Sequence, residues 1–177
     1  MTKMPESLKI AKITALNLLQ IYNITEAPIN ISKILKGEGL NIYEFHFPDE
    51  FDNIAGMLDL EQKTILINEN NDDYDKSFIA ARELGHWILH KKFINECPEK
   101  YLFVFKKDFD IKDKDFLKKE ADDFALNLLV PRFILDRYKD NFSIVELSKI
   151  FGTSQRIIEE RLTGEYFNQY VLCEEKT

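Results

Sequence analysis

Two long segments of the chain place apolar residues every three or four positions, and this spacing predicts amphipathic helices. The first segment is residues 7–22, and the second is residues 113–130. Between them, residues 76–92 form a third and more uniformly apolar helix, for which Asp75 or Ser77 is the expected N-terminal cap. Shorter helices are predicted at residues 31–36, 144–151 and 154–162.

The pattern changes in the first half of the chain, where short runs rich in β-branched and aromatic residues predict three strands. These runs are residues 40–47, 54–60 and 64–68. Only the polar residues 61–63 separate the last two strands, so we expect them to pair as a hairpin. Strands cluster early and helices late, which predicts an α+β domain with a small antiparallel sheet. Residues 101–105 fit either a strand or an apolar loop, and residues 164–177 give no assignment.

Composition narrows the class of protein. The chain has 177 residues with 45% hydrophobic residues, enough for one domain with a real core. A formal net charge of −7 argues against a protein that coats nucleic acid or an anionic membrane. The two cysteines, Cys97 and Cys173, are far apart and predict a reduced, cytoplasmic chain. No apolar run suggests a signal peptide or a membrane span.

The most informative stretch is residues 78–90, which read Phe-Ile-Ala-Ala-Arg-Glu-Leu-Gly-His-Trp-Ile-Leu-His. This stretch differs at one position from His-Glu-x-x-His, which places two zinc-binding imidazoles one helical turn apart with the Glu as general base. Arg82 replaces the first His, and a guanidinium offers no lone pair to a metal. On the second long helix, Glu120 interrupts an apolar face, where a carboxylate is costly unless it is paired or bound to metal. By themselves, Glu83, His86 and Glu120 are also explained as structural polar residues.

Two motifs in this order resemble those of the ImmA/IrrE family of zincin-like metallopeptidases. They are residues 78–90 and residues 120–131, the latter reading Glu-Ala-Asp-x-Phe-Ala-x-x-Leu-Leu-Val-Pro. The first motif of that family normally reads His-Glu-Leu-Gly-His. Residues 28–31, 65–68 and 147–162 resemble further segments of the family. The resemblance implies a zincin-like metallopeptidase domain of the α+β class with C-terminal helix-turn-helix-like helices.

The resemblance also implies a role for each matching position. Glu83 would be the catalytic general base, His86 the second zinc ligand and Glu120 the third. Arg82 stands where the first ligand should be, so two of the three ligands remain. We therefore expect zinc occupancy to be low and catalysis to be impaired or lost. We also expect Arg82 to donate charge-assisted hydrogen bonds to Glu120.

His90 keeps an alternative open, namely an active zinc endopeptidase that cleaves a repressor with His86, Glu120 and His90 as ligands. A metal held between His86 and His90 would lie one helical turn, about 5.4 Å, beyond the level of positions 82 and 86. We therefore prefer a structural or outer-sphere role for His90.

The end of the chain raises a second alternative. Residues 143–162 have helix-turn-helix spacing about Gly152, which is compatible with a DNA-binding regulator. The acidic residues of this segment balance its basic ones, so direct nucleic-acid binding is not favoured. We predict a zincin-like domain at residues 1–140 and a helical extension, residues 141–177, packed on it.

Partner and location follow from the resemblance alone. Proteins of the family act on regulators of mobile elements and stress responses, typically helix-turn-helix repressors. We expect this chain to be a cytoplasmic regulator of the phage or mobile-element type that recognises a protein partner, a transcriptional repressor.

Overall fold

A computed structural model describes residues 6–51, 53–92 and 112–163, with side chains of the last segment described from Phe116 onward. The predictions made for residues 94–110 and 164–177 lie outside these residues. The described elements are α1 (Glu6–Ile21), α2 (Ile31–Gly37), β1 (Asn41–Phe45), a 3-10 turn (Asp49–Phe51), β2 (Gly56–Asp59), β3 (Thr64–Asn68), α3 (Asp73–Gly85), a π-helical turn (His86–His90), α4 (Lys112–Leu129), α5 (Arg132–Leu135), α6 (Ile144–Phe151) and α7 (Gln155–Thr163). The predicted α+β class is confirmed.

The three strands form one sheet in the order β1-β3-β2. β2 and β3 pair antiparallel, with Met57 opposite Leu66, which confirms the predicted hairpin. β1 pairs with β3 in parallel, with Tyr43 opposite Leu66, so the sheet is mixed and the prediction of a wholly antiparallel sheet needs this correction. The reason is that residues 46–55 carry the chain from one edge of the sheet to the other, and β3 then enters between the two edge strands.

The start of α3 also differs from the prediction. The N-cap is Asp72, whose side chain accepts a hydrogen bond from the backbone N–H of Tyr74 at 2.9 Å. Neither Asp75 nor Ser77 caps the helix. Asp72 has the extended backbone typical of an N-cap, and its carbonyl already accepts from the N–H groups of Asp75 and Lys76. The helix therefore begins about one turn earlier than predicted, at Asp73.

The helices α3 and α4 pack together, and α1 also packs against α4. Gly85 permits this close approach, because a Cβ there would lie 3.2 Å from the Cα of Ala121 and 3.0 Å from a ring carbon of Phe124. The short distance between the two helices brings Glu120 opposite the end of the motif helix. None of the helices in the described residues is both long and apolar enough to span a membrane.

The last two helices share the hydrophobic core of the rest of the described chain. Leu147, Phe151, Ile157 and Ile158 are buried in the same cluster as the apolar face of α1. The αL conformation of Gly152, with φ +62°, ends α6 and turns the chain into α7. The predicted domain boundary at residue 140 stays a prediction.

Candidate functional site

The polar residues of the motif helix are buried where α3 passes into the π-helical turn. Glu83 is 1% exposed, and His86 and His90 are each 4% exposed. A π-helical turn is wider than an α-helical one and is often found at functional sites. Across from it, α4 contributes Glu120, whose side chain is 13% exposed. The structure thus brings the four predicted site residues of α3, the π-helical turn and α4 into one buried region.

A chain of hydrogen bonds joins His86, His90 and Glu120. The Nδ1 atoms of the two histidines are 3.0 Å apart, and His90 Nε2 lies 3.0 Å from Glu120 Oε2. Because a carboxylate only accepts, His90 donates through Nε2 to Glu120. Between the two Nδ1 atoms, one histidine donates and the other accepts. This is the arrangement by which an outer partner orients the ring of a metal-binding histidine.

Arg82 is paired with Glu83, and the hydrogen bonds that we expect from Arg82 to Glu120 stay a prediction. Its Nε and Nη2 donate to Glu83 Oε1 at 3.1 and 3.0 Å. Burial explains this ion pair, because the carboxyl of Glu83 is almost fully removed from water and needs a compensating cation. Glu120 accepts from His90.

Burial also shifts the protonation of the site. Desolvation raises the pKa of Glu83, Arg82 opposes this rise, and the charge of Asp122 adds to it. Desolvation lowers the pKa of His86 well below its ordinary value, and the nearby His90 and Arg82 lower it further. His86 is therefore a neutral imidazole at physiological pH, as a metal ligand would have to be. Among the described residues, Glu83 Oε2 is buried without a hydrogen-bond partner.

The residues of the site do not fit a zinc ion held by three protein ligands. His86 and Glu120 retain donor atoms, but Arg82 places a permanent cation at the first position. Both ring nitrogens of His90 are engaged, one with His86 and one with Glu120. His90 therefore orients these two candidate ligands. In the part of the chain that the structure describes, no group of three His, Cys, Asp or Glu could hold a metal ion. Reduced zinc binding nevertheless stays a prediction.

A cleft of about 270 Å³ opens beside Arg82. Three helices contribute basic residues to its lining: Arg82 from α3, Lys118 from α4 and Arg156 from α7. The acids Asp75 and Asp122 lie in the same lining. The sequence alone does not indicate this group, because its members are far apart in the chain and have no motif spacing.

The helix α7 is held against α4 by Arg161. Its Nε donates to the carbonyl of Val130 at 2.8 Å, and its Nη2 donates to Asn127 Oδ1 at 3.0 Å. Burial lowers the pKa of this guanidinium to about 10, and burial raises the pKa of the neighbouring Asp123 to about 6. The Arg161 guanidinium therefore bonds to groups within the protein and is poorly placed to contact a phosphate, which further weakens the DNA-binding alternative.

The fold and the site together define a zincin-type domain, in which a small sheet packs against the motif helix and a second helix supplies a carboxylate. The chain belongs to the family of the IrrE N-terminal-like domain, which matches residues 35–163. The resemblance to the ImmA/IrrE family is thus confirmed. The match also runs across the predicted boundary at residue 140.

Two comparisons agree with this assignment. Over 111 residues the chain is 28% identical to "Uncharacterized immunity region protein 2" of Bacillus phage phi105, a match that covers 62% of this chain and 65% of that protein. A solved structure, a Mycobacterium tuberculosis transcriptional regulator, matches with a TM-score of 0.62 and 15% identity over 88% of this chain and 46% of that one. At that identity the structure supports the fold alone. The chain therefore spans less than two thirds of the length of either relative.

Proposed function

We propose that this chain is a regulatory protein of the ImmA/IrrE type that recognises a protein partner, a helix-turn-helix repressor, and that its zinc peptidase activity is impaired or lost. One observation carries the proposal: Arg82 occupies the first ligand position and is held there by Glu83. A repressor partner agrees with the name of the phage immunity region relative and with that of the solved transcriptional regulator. Such a partner would place the protein in the cytoplasm.

The position of Glu83 explains why catalysis would fail. A general base must direct a lone pair at the proton that it removes. Here Oε1 of Glu83 accepts two N–H groups from Arg82, which leaves it poorly placed to accept a proton from water. Its other oxygen is buried without a hydrogen-bond partner among the described residues. Glu83 would thus serve as the counterion of Arg82.

Recognition of a partner does not require the metal. β2 lies at an edge of the sheet and packs against α3. An edge strand has unpaired backbone groups with which an extended peptide can form a further strand. The side chain of Glu83 comes close to Gly56 at the start of β2, so a peptide added at this edge would run past the degenerate site.

Metal analysis tests the proposal directly. The unmodified chain, Arg82→His and Arg82→His combined with Glu120→Gln would be purified without chelator, and zinc would be measured by plasma mass spectrometry. We expect clearly substoichiometric zinc in the unmodified chain, a large gain in Arg82→His and loss of that gain in the double variant. The gain is expected because His86 and Glu120 are already oriented by His90 and lack only a third ligand. Stoichiometric zinc in the unmodified chain would falsify the proposal.

A second measurement addresses the partner. A repressor encoded next to this chain would be titrated with it in a calorimeter, with and without a metal chelator. We expect binding of the same affinity in both conditions and an intact repressor afterwards in gel electrophoresis. Repressor fragments that appear only without chelator would show an active peptidase.

A further inference from the structure

Three basic residues converge on the cleft beside the degenerate site, although the chain as a whole carries a net charge of −7. We infer that this cleft binds an acidic side chain, Asp or Glu, of a peptide segment in the protein partner. The inference rests on the proposed function and specifies the chemistry that the partner must present. The three residues are Arg82, Lys118 and Arg156.

The three cations do not contribute equally. Arg82 is paired with Glu83, and Arg156 donates to Glu160 Oε1 at 2.6 Å. Lys118 is exposed and has no ion-pair partner among the described residues, so its charge is the least compensated of the three. An incoming carboxylate would therefore be attracted first by Lys118 and would then accept hydrogen bonds from the guanidinium groups.

Arg82 is prepared for this role by its own ion pair. The contacts of Nε and Nη2 with Glu83 fix the plane of the guanidinium, and the side chain is only 19% exposed. A planar donor held in advance loses less conformational entropy when it binds than a flexible one does. The guanidinium thus lines the cleft in a fixed orientation.

The two acidic residues of the cleft, Asp75 and Asp122, determine which kind of anion can bind. Oδ1 of Asp75 is buried without a hydrogen-bond partner in the described part of the chain, and Asp122 is 7% exposed in the same lining. A polyanion such as nucleic acid would be repelled by these two carboxylates. A peptide brings backbone N–H groups for the unsatisfied acceptor together with one carboxylate for the cations. The mixed lining therefore favours an acidic peptide.

The volume and the lining of the cleft are suited to one acidic side chain. Its volume of about 270 Å³ is slightly below the range of roughly 300–1,000 Å³ that is usual for drug-sized ligands. Phe78 and Ile79 provide an apolar wall against which the methylene groups of an acidic side chain would pack.

Fluorescence polarisation with synthetic peptides tests the inference. The probes are two fluorescein-labelled, end-blocked hexapeptide libraries that are identical except for Glu or Gln at one fixed position. We expect the Glu library to bind the unmodified chain about tenfold more tightly, because roughly 1.4 kcal/mol of charge-assisted contact corresponds to that ratio. Lys118→Gln combined with Arg156→Gln should reduce the preference to less than about threefold. Circular dichroism and urea unfolding confirm that this variant is folded.

Lys33→Gln combined with Lys36→Gln is the matched control, since both lysines are exposed and neither lines the cleft. This double variant removes the same number of charges. We expect it to retain the preference for Glu. Equal or undetectable binding of the two libraries overturns the inference, as does a preference that survives in Lys118→Gln combined with Arg156→Gln. These outcomes are distinct from failure of the proposed function, which would appear as stoichiometric zinc in the unmodified chain whatever the peptide result.

Discussion

Arg161→Ala removes the guanidinium that connects α7 to the end of α4. The guanidinium is mostly buried, donates to Val130 and Asn127, and lies close to Asp123. Each hydrogen bond from a charged donor contributes about 1.5–3 kcal/mol. Removal of the guanidinium also leaves the Val130 carbonyl and Asn127 Oδ1 without this donor, and a buried polar group left unsatisfied costs about 1–3 kcal/mol. The effects overlap, so we expect a loss of about 3–5 kcal/mol in the free energy of unfolding.

Urea unfolding measures this loss, with the fluorescence of the single tryptophan, Trp87, as the signal. Trp87 is buried and should report the loss of the core around α3. With a slope of about 2 kcal/mol per molar urea, the midpoint should fall by roughly 2 M. Arg156→Ala on the same helix is the control, since its side chain is 61% exposed and its i,i+4 pair with Glu160 contributes about 0.5 kcal/mol or less. Similar midpoints for the two variants would refute the view that Arg161 holds α7 on α4.

Two further predictions concern the helix interface. Burial raises the pKa of Asp123 from 3.8 to about 6, so Asp123 binds its proton more readily in the folded than in the unfolded chain. Its ionisation should therefore lower the free energy of unfolding by roughly 3 kcal/mol as the pH rises from about 4 to above 6. Asp123→Asn should abolish this part of the pH dependence, and an unchanged difference between the urea midpoints at pH 4 and pH 7 would contradict the prediction. Gly85→Ala gains about 1 kcal/mol of helix propensity, but it forces the new Cβ against Ala121 and Phe124, which costs about 1–3 kcal/mol. We therefore expect a lower melting temperature. A higher one would show that α4 can move away.

The sequence by itself determined the main helices, the hairpin and the defect in the motif. These features are local, since the period of apolar residues and the spacing of Glu83 and His86 depend only on neighbours along the chain. The sequence also indicated Glu120, because a lone carboxylate on an apolar helix face needs a partner. Arg82 could be recognised as a departure from the motif because its position in the motif is also a local feature of the sequence.

Only the tertiary structure decided which partners these groups have. The parallel pairing of β1 depends on how the chain crosses the sheet, and the cap at Asp72 depends on the backbone that enters α3. Arg82 pairs with Glu83, which is 1% exposed, and His90 pairs with Glu120 of the facing helix. Burial of this kind arises when α3 packs on α4, and no local pattern records it. The same packing brings α3, α4 and α7 together around one cleft and thereby places basic residues from distant parts of the sequence beside the site that lacks its first zinc ligand.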